Sequence, residues 1–231
     1  MKKPILIQGA MTSEVAIFRS SGNLEEKKMG GYSFFQGEIN GVSVVISETK
    51  IGMANAAAAT ALAIVTFAPR AILNQGIAGA HQEDLNTGDI ILGGEVVSIN
   101  SLEKPNTKEG VDYKKWEHFD FFQNKGSFLG DGAMLSVFEQ AEYTKGRKIK
   151  GILGTGDVWN REAEYIRHLV DLLHTACEDM ESLAVAQVAR EFALPMLGIR
   201  IISNNELQGT AYDPSQGDVL QQFIIDNLQQ I

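Results

Sequence analysis

Three polar stretches of this chain carry residue types suited to breaking a carbon–nitrogen bond. In the first, an apolar run, Pro195-Met196-Leu197-Gly198-Ile199, delivers Arg200 and then a Ser203-Asn204 pair at its C-terminal end. The second is Asp179-Met180-Glu181-Ser182, with Glu181 at the expected start of a helix. The third is Glu14, just past the apolar run Ile5–Gly9. In open α/β sheets, ligands bind beyond the carboxyl ends of the strands, so these groups can converge on one pocket. Cleaving an N-glycosidic bond builds positive charge on the sugar and negative charge on the departing base. One carboxylate must activate water or shield the cationic sugar. Another group must hold the ribose hydroxyls, and a donor must meet a ring nitrogen of the leaving purine. The same division of labour serves O-glycoside hydrolysis.

Each residue also has a plain structural alternative. Glu14 and Glu181 could be first-turn glutamates that complement a helix dipole. Arg200, inside an expected buried strand, fits that kind of reading less well. A buried arginine needs a carboxylate partner, and Glu14 or Glu181 is expected to supply it. Trp159, in Gly156-Asp157-Val158-Trp159-Asn160, is either core or a platform for a purine ring. The histidines His81, His118, His168 and His174 show no paired ligand spacing. The single cysteine, Cys177, allows no intrachain disulfide and no cysteine metal site. No metal and no cofactor is expected. There is no P-loop or Gly-x-Gly-x-x-Gly after a strand, and no Gly-x-Ser-x-Gly elbow.

The elements that must position these residues follow from patterning. Ile5–Gly9 reads as a buried strand, followed by a helix that Thr12 or Ser13 can cap. Tyr32–Ile39 and Val42–Thr49 flank Asn40-Gly41, a hairpin signal because both turn residues accept positive φ. Met53–Phe67 is alanine-rich and helical, ending before Pro69. Ala71–Gln75 reads as a short strand entering a glycine turn, Gly76-Ile77-Ala78-Gly79. Thr87-Gly88-Asp89 turns into the strand Ile90–Val97. The stretch 101–126 reads as a long polar loop, of the kind that is often functional. Lys148–Gly154 and Pro195–Ser203 are further strands; Arg161–Val170, Glu181–Phe192 and Gly217–Ile231 are helices. Strands alternate with helices apart from the hairpin. The expectation is a three-layer α/β/α fold with a central mixed β-sheet, in one domain spanning residues 1–231.

Composition narrows the partners. The net charge of −9 argues against a nucleic-acid surface, which needs a positive field. The apolar run near the N-terminus is too short for a signal peptide or a membrane span. A cytoplasmic protein acting on a small molecule is expected, with no membrane partner.

In order along the chain, several segments resemble one family, the 5′-methylthioadenosine/S-adenosylhomocysteine nucleosidases of the nucleoside phosphorylase superfamily. They are Gly9-Ala10-Met11 with Glu14, Lys50-Ile51-Gly52-Met53, Gly76-Ile77-Ala78-Gly79, Thr87-Gly88-Asp89-Ile90, Gly156-Asp157, Met180-Glu181 and Arg200-Ile201-Ile202-Ser203. The resemblance implies a nucleoside phosphorylase-like fold, a purine nucleoside substrate and a homodimer whose neighbouring subunit helps close the 5′ pocket. It implies that Glu14 activates water with Arg200 helping to hold it, and that Met180 and Glu181 line the ribose. Trp159 takes the place of a base-stacking phenylalanine. Backbone groups of Asn160 read the purine edge, and Ser203 supports the residue facing N7. Met11 and Ile51 line the sugar and its 5′ substituent, and Tyr212 matches a lid aromatic.

The departures are as informative. Asn204 stands where the family has an aspartate that protonates N7. An amide donates a hydrogen bond but delivers no proton, and phosphorylases of the superfamily that prefer 6-oxopurines carry asparagine here, so the resemblance leaves a 6-oxopurine nucleosidase or phosphorylase, or a weakly catalytic nucleoside-binding protein, as alternatives. Ile77 replaces a small hydroxyl residue and Ala80 a glycine. Trp116, His118 and Phe119 are the candidates for the 5′ pocket from the 101–126 stretch. Phosphorolysis needs a cationic phosphate site, yet Leu73-Asn74-Gln75 before the glycine segment holds no cation. A carboxylate at Glu14 repels phosphate, so hydrolysis is favoured.

Overall fold

The computed structural model describes residues 3–103, 112, 115–118 and 127–231. The chain runs β1 (Ile5–Gly9), α1 (Thr12–Ser20), β2 (Asn23–Met29), β3 (Tyr32–Ile39), β4 (Val42–Glu48), α2 (Met53–Phe67), β5 (Ala71–Ala80) and β6 (Ile90–Ser98). It continues with β7 (Leu102–Glu103), β8 (Glu117–His118), β9 (Ser127–Leu129), α3 (Gly132–Gln140), β10 (Lys148–Thr155), α4 (Ala163–Leu173), β11 (Thr175–Asp179), α5 (Ser182–Glu191), β12 (Met196–Asn205) and α6 (Gln216–Asn227). The main sheet is mixed, in the order β11-β10-β6-β12-β5-β1-β4-β3-β2, with β9 on β6.

Alternation along the strands builds the three layers. Ile5 and Ile7 of β1, with Leu197, Ile199 and Ile201 of β12, pack on one side against Val15 and Phe18 of α1, Phe138 of α3 and Phe223 of α6. Leu6 and Ile72 face the other way, onto Ala56 and Ala63 of α2 and Leu183 and Val185 of α5. The hairpin turn is as its dipeptide predicts, with φ of 51° at Asn40 and 76° at Gly41.

Three expectations are corrected. The helix α1 is entered through Met11 rather than capped by Thr12 or Ser13; Glu14 takes the free amides instead. The glycine segment 76–79 is not a turn but the second half of β5, which pairs with β12 and then antiparallel with β11. Through that last pairing the strands β5, β12, β6, β10 and β11 close into a ring. Finally, β2, β9, β11 and α3 are elements the patterning did not predict. Residues 102–103 and 117–118 form a small two-stranded ladder, and Phe119 lies outside the described residues.

Candidate active site

The C-terminal ends of β1, β5, β11 and β12 surround a cavity of about 190 Å³. Its lining contains Met11, Glu14, Ile51, Ile77, Trp159, Met180, Glu181, Ser203, Asn204 and Tyr212, ten of the twelve residues singled out from sequence, together with Glu178 and Asp179. Among the described residues this lining holds four carboxylates and no lysine or arginine.

Glu14 sits in the first turn of α1 and folds back on the chain entering it. Its Oε2 accepts the amides of Ala10 (2.7 Å) and Met11 (3.0 Å), and its Oε1 accepts that of Ile77 (3.0 Å). Helix starts leave amides without partners, and here a buried carboxylate collects them. Burial pushes its carboxyl above the ordinary range, opposed by the three amides and by the charge of Arg200. The close approach of β5 depends on Gly76, where a Cβ would overlap Glu14 Oε1.

Glu181 precedes α5, and its Oε1 accepts the amide of Gly52 at the start of α2 (2.9 Å). The next amide, of Met53, goes to Asp157 Oδ1 (2.8 Å). These two bonds hold Ile51 over the cavity. Burial, and then the neighbouring charge of Asp179, push the Glu181 carboxyl up to about 7.

Arg200 is 1% exposed and lies beneath the cavity, outside its lining. The expected partner, Glu14 or Glu181, is corrected to Asp179, whose Oδ2 lies 3.2 Å from Arg200 Nε. That contact is one of charge, since the Nε proton has no aligned acceptor. The remaining guanidinium donors reach Asn74 and Ile199 carbonyls, the Asn74 side chain and Ser182 Oγ. Asp179 in turn accepts from Thr155 Oγ1, the amides of Glu181 and Ser182, and Ser182 Oγ. The arginine therefore ties β12 to β11 and to the start of α5, and reaches Glu14 only through its field.

Ser203 and Asn204 both face the cavity, which a regular strand forbids because successive side chains alternate. A register shift between Ile202 and Asn204 in the β12–β5 ladder resolves this; a bulge re-aims side chains in this way. Ser203 Oγ donates to Asn204 Oδ1 (2.9 Å), and Asn204 Nδ2 donates to Glu206 Oε1 (3.3 Å). The amide's orientation is thus fixed from both ends.

At the mouth, Trp159 and Tyr212 pack with ring centres 5.7 Å apart. Asp213 N donates to Ser203 O (2.9 Å), which anchors the Tyr212 segment to β12. Trp116 packs edge-on against Tyr165 and is not in the lining. The Asn160 backbone amide, expected to read the purine edge, is donated to Glu178 Oε1 (2.7 Å). Sequence reasoning misses Glu178 because it lies on β11, a strand of five buried residues that patterning does not reveal.

The fold and this carboxylate-lined cavity define a class. The signature of the phosphorylase superfamily matches residues 4–229, and the chain belongs to that superfamily. Within it, the chain belongs to the 5′-methylthioadenosine/S-adenosylhomocysteine nucleosidase family, a family of N-glycosyl hydrolases. It is 33% identical to the nucleosidase of that name from Psychromonas ingrahamii, covering 96% of this chain and 98% of that one. The counterpart from Shewanella piezotolerans is 32% identical over 90% of this chain and 88% of its own. The solved nucleosidase from Colwellia psychrerythraea, in complex with adenine, superposes with a TM-score of 0.84 at 25% identity, covering 100% of this chain and 96% of that one.

Proposed function

We propose that this protein hydrolyses the N-glycosidic bond of 5′-methylthioadenosine and S-adenosylhomocysteine, releasing adenine and the thioribose. The observation that carries the reading is the pair of buried carboxylates, Glu14 and Glu181, on one cavity with no cationic side chain among the described residues of its lining. A carboxylate accepts up to about four hydrogen bonds. Glu14 spends three on backbone amides and keeps one for a water. Its raised basicity suits it to take that water's proton as the water attacks the anomeric carbon. Glu181, with Met180 beside it, binds the ribose hydroxyls. Arg200 supports Glu14 by its field rather than by touching the water. Trp159 stacks on the base, Met11, Ile51 and Ile77 enclose the sugar and its 5′ group, and Tyr212 covers them. Ser203 orients Asn204, whose amide donates to N7.

Phosphate finds no cationic seat among the described residues of this lining, which supports hydrolysis over phosphorolysis. A homodimer belongs to the same reading. Ile51, Trp159 and Tyr212 are 51%, 55% and 44% exposed at the mouth, apolar surface that a second copy would cover. So does a cytoplasmic place in methionine salvage, in keeping with the buried free thiol of Cys177. The test is adenine release from 5′-methylthioadenosine, followed chromatographically with and without phosphate. Release at equal rates in both supports hydrolysis; release that requires phosphate, or none at all, would overturn it.

A further inference from the structure

A carboxylate that takes a proton from water must meet that water at hydrogen-bond distance, and a misplacement of about 1 Å can cost on the order of 10²-fold in rate. Glu14 projects from the first turn of α1, so the main chain of that turn must be held as firmly as the carboxylate. Two buried glutamines hold it. Gln75 of β5 is 1% exposed, and its Nε2 donates to the main-chain carbonyl of Glu14 itself (2.7 Å). Further along β5, the Ile77 amide reaches the Glu14 carboxylate (3.0 Å). One strand therefore grips this residue at both ends. Gly9, the last residue of β1, makes room for the grip: a Cβ there would stand 2.7 Å from Gln75 Nε2 and 2.9 Å from Glu14 Cβ. The second glutamine, Gln221 of α6, is 0% exposed. Its Oε1 accepts the amide of Ile17 (2.9 Å), and its Nε2 donates to the carbonyl of Ser13 (2.8 Å). A regular α-helix pairs those two groups with each other, so the Gln221 amide bridges the turn that contains Glu14. Nε2 also donates to Gly217 O (3.0 Å), in the first turn of α6. That turn packs on the site: a Cβ at Gly217 would stand 3.6 Å from Ile77 Cγ2 and 4.0 Å from Glu14 Cγ.

Neither glutamine is in the cavity lining, and packing alone does not ask for them. Burying an amide is costly unless its hydrogen bonds are made, and Gln75 Oε1 is buried with no partner among the described residues. An apolar side chain of similar length would fill the same space without that cost. Only an amide supplies the donor to Glu14 O at position 75. At position 221 it supplies a donor and an acceptor on one plane, matched to the carbonyl of Ser13 and the amide of Ile17.

We propose that Gln75 and Gln221 are positioning residues, a pair of amide clamps that fix the first turns of α1 to β5 and to α6 and so set the Glu14 carboxylate against the attacking water. The proposal rests on the hydrolase reading above, in which Glu14 is the base.

The test measures kcat and KM for adenine release from 5′-methylthioadenosine at about pH 6, with the folded fraction of each protein taken from circular dichroism. The proteins are the native chain, Gln75→Met, Gln221→Met and Gln221→Glu. Methionine keeps the length of the side chain and removes its hydrogen bonds. In each methionine variant kcat per folded molecule is expected to fall about tenfold or more while KM stays within about threefold, because Glu14 acts on the water in the transition state and not on the bound substrate. Gln221→Glu is the rescue. A carboxyl buried at that position stays protonated at about pH 6 and then offers one donor and one acceptor, as the amide does, so most of the lost kcat should return. A merely structural glutamine would change the folded fraction and leave kcat per folded molecule in place, which would overturn the proposal. So would methionine variants that fail to fold, or a loss confined to KM. A fall in only one methionine variant would overturn the role of the other glutamine, and Gln221→Glu no better than Gln221→Met would overturn that of Gln221. No adenine release from the native protein would overturn the hydrolase reading and the proposal with it.

Discussion

Glu181 is asked both to stay buried and to be charged. Its folded-state value of about 7 lies above the ordinary 4.5, so folding favours the protonated form. That contribution to stability is complete below about 4.5 and is lost as pH rises through about 7. Glu181→Gln should therefore be more stable than the native protein near pH 8, by up to about 3 kcal/mol, and no more stable near pH 5. Thermal unfolding at the two pH values checks this; a gain at both, or at neither, would contradict it. Asn204 marks a second residue-scale limit. Asn204→Asp should accelerate adenine release from 5′-methylthioadenosine by up to about 10²-fold, because it supplies an N7 proton donor. An unchanged single-turnover rate would show that leaving-group protonation is not limiting. Glu14 and Asn204 are legible in sequence because each follows an expected strand, and Glu181 because it opens an expected helix. The partner of Arg200 is not, since Asp179 and Glu181 lie two residues apart and only the fold shows which one faces the arginine.

Among the elements, β5 carries the largest revision. Glycines at 76 and 79 have the composition of a turn, and they read as one. In the fold they are bare strand, so that Glu14 lies against one and the Glu178–Asn204 wall flanks the other. Gly76→Ala should thus cost about 10²-fold in kcat by displacing the Glu14 carboxylate, with a cooperative unfolding transition retained. Circular dichroism alongside turnover separates that outcome from a general collapse. Arg200→Met probes the junction of β12, β11 and α5. It leaves Asp179 buried without its counter-charge and is expected to destabilise by about 3–5 kcal/mol in chemical denaturation; a loss below about 1 kcal/mol would show the pair to be dispensable. Other elements were illegible for physical reasons. The strand β2 is mostly charged and exposed along its length, so no apolar alternation marks it. The strand β11 is five buried residues, Thr175–Asp179, too short for a period to show.

For the molecule as a whole, the proposed second copy over the three exposed apolar side chains at the mouth would tie assembly to activity. At concentrations where sedimentation finds single chains, base release per chain is expected to fall; full activity of a monomer would remove the partner from the 5′ pocket. The ring closed by β5 and β11 has a consequence of a different kind. It joins residues 79–80 to 177–178, and β5 to β12 at 196–205, contacts about a hundred residues apart or more in sequence. Such pairings form late in folding, once long loops have been closed. They are also expected to open only with the most stable part of the structure. Amide exchange at 79–80 and 177–178 thus belongs to global unfolding. The wall of the cavity beside Gly79 is thus expected to last as long as the folded protein does.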